Sequence, residues 1–318
     1  MRLAIIGQQA FGASVLDAFL KRGDEIAGVF CAPEKEGAKP DPLKVAAQER
    51  GLRIFQFPSL KSTPARDVLR GLDVDLGVMA YVLQFAPQDF VSIPRFGMIQ
   101  YHPSLLPNYR GPSSINWPII KGDTKTGLTI FRPNDGLDEG PVVLRKTVAI
   151  GPDDTLGSLY FNHLFPLGVE AMLEAADLVV AGRNQEVVQD ENQASYEGWC
   201  RDKEARVNWH AHIDHTYNLI RGCDPSPGAW TMIGDTKLRI YETRKRPVRR
   251  FGDVAGKPGE IASIGEKGVE IIVQGGKLEL LKVRPEGGAK MSAAEFFKSA
   301  GVTVGSAIED RKTFSEAA

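Results

Sequence analysis

Two short segments of this 318-residue chain carry side chains suited to proton transfer. The first is Gln100-Tyr101-His102-Pro103-Ser104-Leu105-Leu106-Pro107-Asn108-Tyr109-Arg110-Gly111, and the second is Asp135-Gly136-Leu137-Asp138-Glu139-Gly140. His102 follows residues 98–101, which read as a strand ending on it. The imidazole then stands at a strand's carboxyl end, where open α/β sheets place their ligands. Pro103 and Pro107 stiffen the loop behind it. A histidine and a carboxylate on neighbouring loops suit general acid–base work. The same residues also fit a blander reading, because such a histidine often only ties down a loop and Asp-Gly pairs make turns. Residue types and spacing alone leave both readings open.

Those side chains need a scaffold, and the hydrophobic pattern predicts one. Residues 3–6 read as a strand, 7–12 as a turn, 14–22 as an amphipathic helix and 26–30 as a second strand. A polar loop covers 33–42, a helix 43–50 and a third strand 53–56; a helix ends at 68–72 and a buried strand spans 74–80. Such alternation implies βαβ units and a parallel sheet. Further strands are expected at 127–131 and 142–150, then a long helical region over 155–181, interrupted near Pro166. From about Ala205 the texture changes to a helix (210–220), a turn-dense loop (222–228) and short β runs at 230–233, 237–241, 259–264, 268–273 and 277–283. The expected architecture is α/β: a Rossmann-like, mostly parallel sheet with helices on both faces over residues 1–203. A small OB-like β-barrel domain follows over 204–310, then a tail over 311–318.

Apolar residues make up 42 % of the chain and charged residues 25 %, a globular balance that excludes a disordered chain. Lys and Arg number 39 against 40 Asp and Glu, which argues against a generic nucleic-acid or membrane-surface binder. Cys31, Cys200 and Cys223 are too scattered for a disulfide framework or a metal knuckle, so no metal is expected and the thiols read as reduced. No apolar run approaches the length of a membrane span, and the expected location is cytoplasmic. The turn Gly7-Gln8-Gln9-Ala10-Phe11-Gly12 lacks the middle glycine that lets a backbone close on a pyrophosphate, so no NAD site is expected there.

The run His102-Pro103-Ser104-Leu105-Leu106-Pro107, then Arg110-Gly111 and Gly136-Leu137-Asp138-x-Gly140, resembles the signature of the 10-formyltetrahydrofolate-dependent formyltransferase/hydrolase family. Within that family, Ile115-Asn116-Trp117, Leu164-Phe165-Pro166-x-Gly168, Ser195-Tyr196-Glu197-Gly198 and Pro227-Gly228-Ala229-Trp230-Thr231 look most like the hydrolase domain of 10-formyltetrahydrofolate dehydrogenases. Methionyl-tRNA formyltransferases are also similar. The resemblance implies that 10-formyltetrahydrofolate is the formyl donor, that His102 acts as acid or electrostatic stabiliser, and that Asp138 organises water and the proton. It further implies a pterin pocket at Gln84, Phe85, Ala86 and the backbone of Asp138, with Ser104, Leu105, Leu106 and Pro107 shaping the adjoining surface. Many relatives have Asn two residues before the histidine; here Gln100 stands there, an amide one methylene longer.

The acceptor is the open question. Transfer to an initiator methionyl-tRNA needs cations to hold phosphates. The loop 33–42 is short and charge-balanced, and the run Arg244-Lys245-Arg246-Pro247-Val248-Arg249-Arg250 reads by default as a solvated loop. Hydrolysis to formate and tetrahydrofolate therefore ranks ahead of tRNA formylation. Transfer to a small-molecule amine and a non-catalytic folate-binding module rank lower. The sequence leaves the oligomeric state open.

Overall fold

A computed structural model describes residues 1–248 and 255–308. The first half of the chain builds one seven-stranded sheet. Its strands are β1 (Arg2–Gly7), β2 (Glu25–Cys31), β3 (Ile54–Gln56), β4 (Leu76–Ala80), β5 (Met98–His102), β6 (Lys125–Phe131) and β7 (Val142–Ala149), in the order β3-β2-β1-β4-β5-β6-β7. The first five in that order are parallel, and β6 runs antiparallel to β5. The order reverses between β1 and β4, which opens a crevice at the carboxyl ends of the strands.

Helices cover both faces, which is why the central strands read as continuous apolar runs. These helices are α1 (Gln9–Arg22), α2 (Pro42–Glu49), α3 (Thr63–Gly71), α4 (Gln88–Val91) and α7 (Phe165–Val180), while α5 (Asn116–Lys121) and α6 (Leu156–Leu159), between α4 and α7 in sequence, belong to the second unit described below. Leu3, Ile5, Val78 and Ile99 point to one face, against Phe11, Leu16 and Phe19 of α1 and Met172 and Ala176 of α7. Ala4, Ile6, Met79 and Met98 point to the other, against Leu69 of α3 and Phe90 of α4. The interruption expected near Pro166 is a π turn over Tyr160–Leu164. Pro166 itself sits in the first turn of α7, where its missing N–H costs no helical hydrogen bond.

The chain forms two compact units. One comprises Met1–Ser114, Thr126–Ala149 and Phe161–Glu197; the other gathers Ile115–Lys125, Ile150–Tyr160 and the chain from Gly198 onward. The second unit thus includes two excursions that lie well before residue 204. Long-range hydrogen bonds attach them. The Asn116 amide donates to the carbonyls of Gly222 and Ser226, and the Arg221 guanidinium donates to those of Gly151 and Asp154.

The second unit also holds α8 (Ile213–Gly222), β8 (Ala229–Ile233), β9 (Thr236–Ile240), β10 (Thr243–Pro247), β11 (Ile261–Ile264), β12 (Val269–Val273), β13 (Gly276–Leu280), β14 (Lys282–Pro285), β15 (Met291–Ser292) and α9 (Ala293–Ser299). The strands form two four-stranded sheets, β10-β13-β12-β11 and β15-β14-β9-β8. The chain turns from one sheet to the other at Tyr241–Glu242 and again at Leu281. There Tyr241 N donates to Lys282 O and Leu281 N to Glu242 O, so pairing continues round the corner. Trp209, Tyr217, Ile240, Leu278 and Phe297 fill the core between them.

The basic run is not a loop over its described part. Residues 243–247 form β10, paired with β13 from Thr243 opposite Leu280 to Pro247 opposite Gly276. The local pattern of five polar or proline residues hides the strand, because the groups that satisfy it are distant in sequence. Lys245 pairs with Asp214 at 2.8 Å, and Arg246 with Glu279 at 2.8 Å and Glu270 at 3.3 Å. Arg249, Arg250 and the tail from 309 lie outside the described residues. Among the described residues no helix is long and apolar enough to cross a membrane.

Candidate active site

Alternation along β5 sends Tyr101 into the core, where its ring stacks on Phe11 at 4.2 Å, and turns Gln100 and His102 to the opposite face. His102 is buried, and its Nε2 lies 2.8 Å from the carbonyl oxygen of Tyr109. A carbonyl only accepts, so Nε2 carries a proton and donates it. Nδ1 faces Asp138 Oδ2 at 3.5 Å.

The loop behind His102 is fixed by its own polar groups. Ser104 Oγ donates to Asn108 O at 2.6 Å, while Thr129 on β6 accepts from Leu106 N and donates to Ser104 O. Residues 109–111 are then tied to the segment near Ser195. Tyr109 N donates to Ser195 Oγ, and Arg110 N to Ser195 O. Gly111 has φ of +84°, and a Cβ there would meet the Tyr196 ring at 2.5 Å, so only glycine fits without displacement.

Asp138 is nine-tenths buried and holds φ of +54°, unusual for a residue with a side chain. Its Oδ2 accepts from Gly111 N at 2.8 Å. One short segment therefore sets both members of the pair: the Tyr109 carbonyl orients the imidazole, and the Gly111 N–H orients the carboxylate. Arg110, between them, is buried and bonded to Glu191. Glu191 holds the guanidinium above its ordinary range, and the same contact holds the Glu191 carboxyl below the usual carboxylate range.

The residues expected to hold folate are placed differently from one another. The Gln84 side chain donates to the carbonyls of Phe57 and Pro58, so its amide fastens two loops together. Phe85 is partly exposed, with the Lys61 ammonium 4.6 Å from its ring centre, and Ala86 is buried. Gln88 N donates to Asp135 Oδ1 at 2.8 Å, which joins this segment to the turn that carries Asp138. Tyr81, Leu83, Phe85 and Leu137 leave apolar surface exposed on these two joined loops. Ser104, Leu106 and Pro107 are buried and Leu105 is half-buried, so they build the loop more than they face solvent. Sequence reading missed Gln189 and Glu191, which lie in a polar stretch without a motif.

The helix end that resembles a phosphate loop is occupied from within. Gln9 N, at the start of α1, donates to both carboxylate oxygens of Asp41, at 3.0 and 2.9 Å. Among the described residues no group of three or more His, Cys, Asp or Glu side chains could hold a metal ion.

With this geometry in place, the likeness to known proteins is specific. The chain is 38 % identical over 317 residues to mitochondrial 10-formyltetrahydrofolate dehydrogenase of Mus musculus, a match covering 95 % of this chain and 34 % of that protein. It thus spans about a third of the length of such relatives. It is 29 % identical to methionyl-tRNA formyltransferase of Geotalea daltonii, with 97 % of this chain and 98 % of that one covered. In fold it is similar to HypX from Aquifex aeolicus, solved in complex with tetrahydrofolic acid, with a TM-score of 0.64 and 19 % identity over 95 % of this chain and 48 % of that one. The formyl transferase profile matches residues 1–175, and the profile of the formyl transferase C-terminal domain matches 200–301. The chain belongs to the formyl transferase family.

Proposed function

We propose that this chain cleaves the formyl group of 10-formyltetrahydrofolate at His102 and Asp138, with water as acceptor, giving formate and tetrahydrofolate. The observation that carries this reading is the juxtaposition of Nδ1 of His102 and Oδ2 of Asp138, 3.5 Å apart, both buried and both oriented by residues 109–111. That separation is longer than a hydrogen bond and leaves both groups able to engage a third. Asp138 accepts a proton from the attacking water as its oxygen bonds to the formyl carbon. Negative charge developing on the formyl oxygen is stabilised by a protonated Nδ1 of His102, while the Nε2–H stays on the Tyr109 carbonyl. As the C–N bond breaks, Asp138 returns that proton to the folate nitrogen, which leaves as tetrahydrofolate. Exposed Phe85 and Leu137 offer apolar surface for the flat pterin. The test is an assay of purified protein with 10-formyltetrahydrofolate alone, following tetrahydrofolate by absorbance and formate in stoichiometric amount. Tetrahydrofolate release that depends on an added amine overturns hydrolysis.

A second reading, formyl transfer to initiator methionyl-tRNA, draws support from the full-length match to a methionyl-tRNA formyltransferase. The charges of β10 weigh against it, because Lys245 and Arg246 are already matched by Asp214, Glu270 and Glu279. Replacing Arg244, Lys245 and Arg246 together with Gln is expected to leave turnover within about twofold, since surface charges of this kind contribute little. Initiator tRNA should bind weakly at any salt concentration. Tight binding that falls steeply with salt, with formyl-methionyl-tRNA as product, would make tRNA formylation the function.

Gln100 shares the His102 face of β5, two residues away, which supports a part for its amide in selecting the acceptor. Gln100→Asn is expected to leave the melting temperature unchanged and to shift the ratio of hydrolysis to transfer. Steady-state rates with water and with an amine acceptor check this. Unchanged rates on both would show that the amide does not face the formyl group.

A further inference from the structure

The carboxylate of Asp138 is held by Gly111, but the turn beneath it is held by a side chain that no motif marks. Gln189 is buried, and its amide is fully used. Nε2 donates to the carbonyl oxygens of Asp138 at 2.8 Å and Gly140 at 2.7 Å. Oε1 accepts from Nε and Nη2 of Arg110 at 3.2 and 3.0 Å. Two donors and two lone pairs are all that an amide has, so nothing is left over. Arg110 in turn donates through Nη1 and Nη2 to Glu191, at 2.8 and 2.6 Å. A continuous run of hydrogen bonds thus leads from solvent-exposed Glu191 through buried Arg110 and Gln189 to the backbone carrying Asp138.

The placement of these bonds matters more than their number. Asp138 sits in the left-handed region, which a residue with a side chain keeps only where its surroundings over-determine it. Gln189 binds the carbonyl of that residue and the carbonyl two residues on. Its partner Arg110 is covalently next to Gly111, whose N–H holds the carboxylate. Both grips on Asp138, one on its backbone and one on its side chain, therefore meet at the contact between Gln189 and Arg110.

We propose that Gln189, backed by Arg110, is a positioning residue for Asp138, aiming the carboxylate at the reacting centre without touching substrate. This rests on the reading of His102 and Asp138 as the reacting pair. Misplacement of a catalytic group by about 1 Å costs up to about 10²-fold in rate. In the full chain, Gln189→Met, which keeps the length and loses the hydrogen bonds, should lower kcat by about 30- to 100-fold. KM and the Kd for tetrahydrofolate should stay within about threefold, because Gln189 lies beneath the turn and the exposed Phe85 and Leu137 side chains offered to the pterin are kept.

In an Asp138→Asn background the same substitution should lower the residual rate by less than about threefold, since a residue acting through a group has no further effect once that group is disabled. Gln189→Glu keeps an acceptor for Arg110 but turns an oxygen toward two carbonyls. It should show the same loss confined to kcat, which covers the case in which the Met variant fails to fold. An unchanged kcat in either folded variant, a loss appearing in KM, or an equal loss with and without the Asp138 carboxylate overturns the proposal. Wild-type turnover in Asp138→Asn would instead overturn the functional reading. Impairment by Asp138→Asn with none from Gln189 variants removes only the positioning role.

Discussion

His102→Ala and Asp138→Asn are each expected to lower kcat for 10-formyltetrahydrofolate cleavage by at least about 10²–10³-fold, the cost of removing one positioned stabilising group. Tetrahydrofolate binding should be kept. Asp138→Asn is the cleaner test, because the Asn carbonyl can still accept the Gly111 N–H that Asp138 Oδ2 accepts at 2.8 Å. The turn then keeps its anchor, and only the proton acceptor disappears. His102→Ala also deprives the Tyr109 carbonyl of its donor. His102→Gln, which retains a donor, accompanies it to separate chemistry from loop geometry. Steady-state rates, a tetrahydrofolate titration and thermal melting on each variant decide the matter. Near-normal turnover in folded Asp138→Asn would remove the carboxylate from the mechanism.

Gly7→Ala is expected to cost about 3 kcal/mol or more of stability, at the upper end for forcing atoms into a packed site. Gly7 ends β1 opposite Ala80, the last residue of β4, at the point where the strand order reverses. A Cβ at Gly7 would lie 1.9 Å from the Ala80 carbonyl oxygen, a backbone atom that cannot rotate away. That carbonyl also accepts from Gln8 N at 3.3 Å, so moving it loosens the entry to α1 as well. The melting temperature should fall on the order of 10 °C. A variant that melts within about 2 °C of the wild type would show that β1 and β4 separate without cost there.

Much of the scaffold was legible because its signals are local. The apolar runs at β1, β2 and β4 are continuous because helices cover both faces of the sheet, and a run of four to six such residues is visible without knowing its neighbours. Residues 243–247 gave the opposite result. Their strand is made by pairing with β13 and by carboxylates at Asp214 and Glu279, more than thirty residues away, so the local charge pattern misled.

The candidate site divides along the same line. Sequence alone determined that a histidine ends a buried strand, that an Asp sits in a tight glycine-flanked turn, and that the two stand 36 residues apart in a family-like pattern. Those are properties of residue type and near neighbours. Only the tertiary structure decided that Nδ1 faces Oδ2, that the Gln84 amide is spent on loop carbonyls, and that Gln189 and Arg110 brace the turn. The physical reason is that burial obliges each polar group to find a partner. Where that partner lies 27 or 51 residues away, as for Asp138, its identity follows from how the chain packs and from nothing in the neighbouring letters.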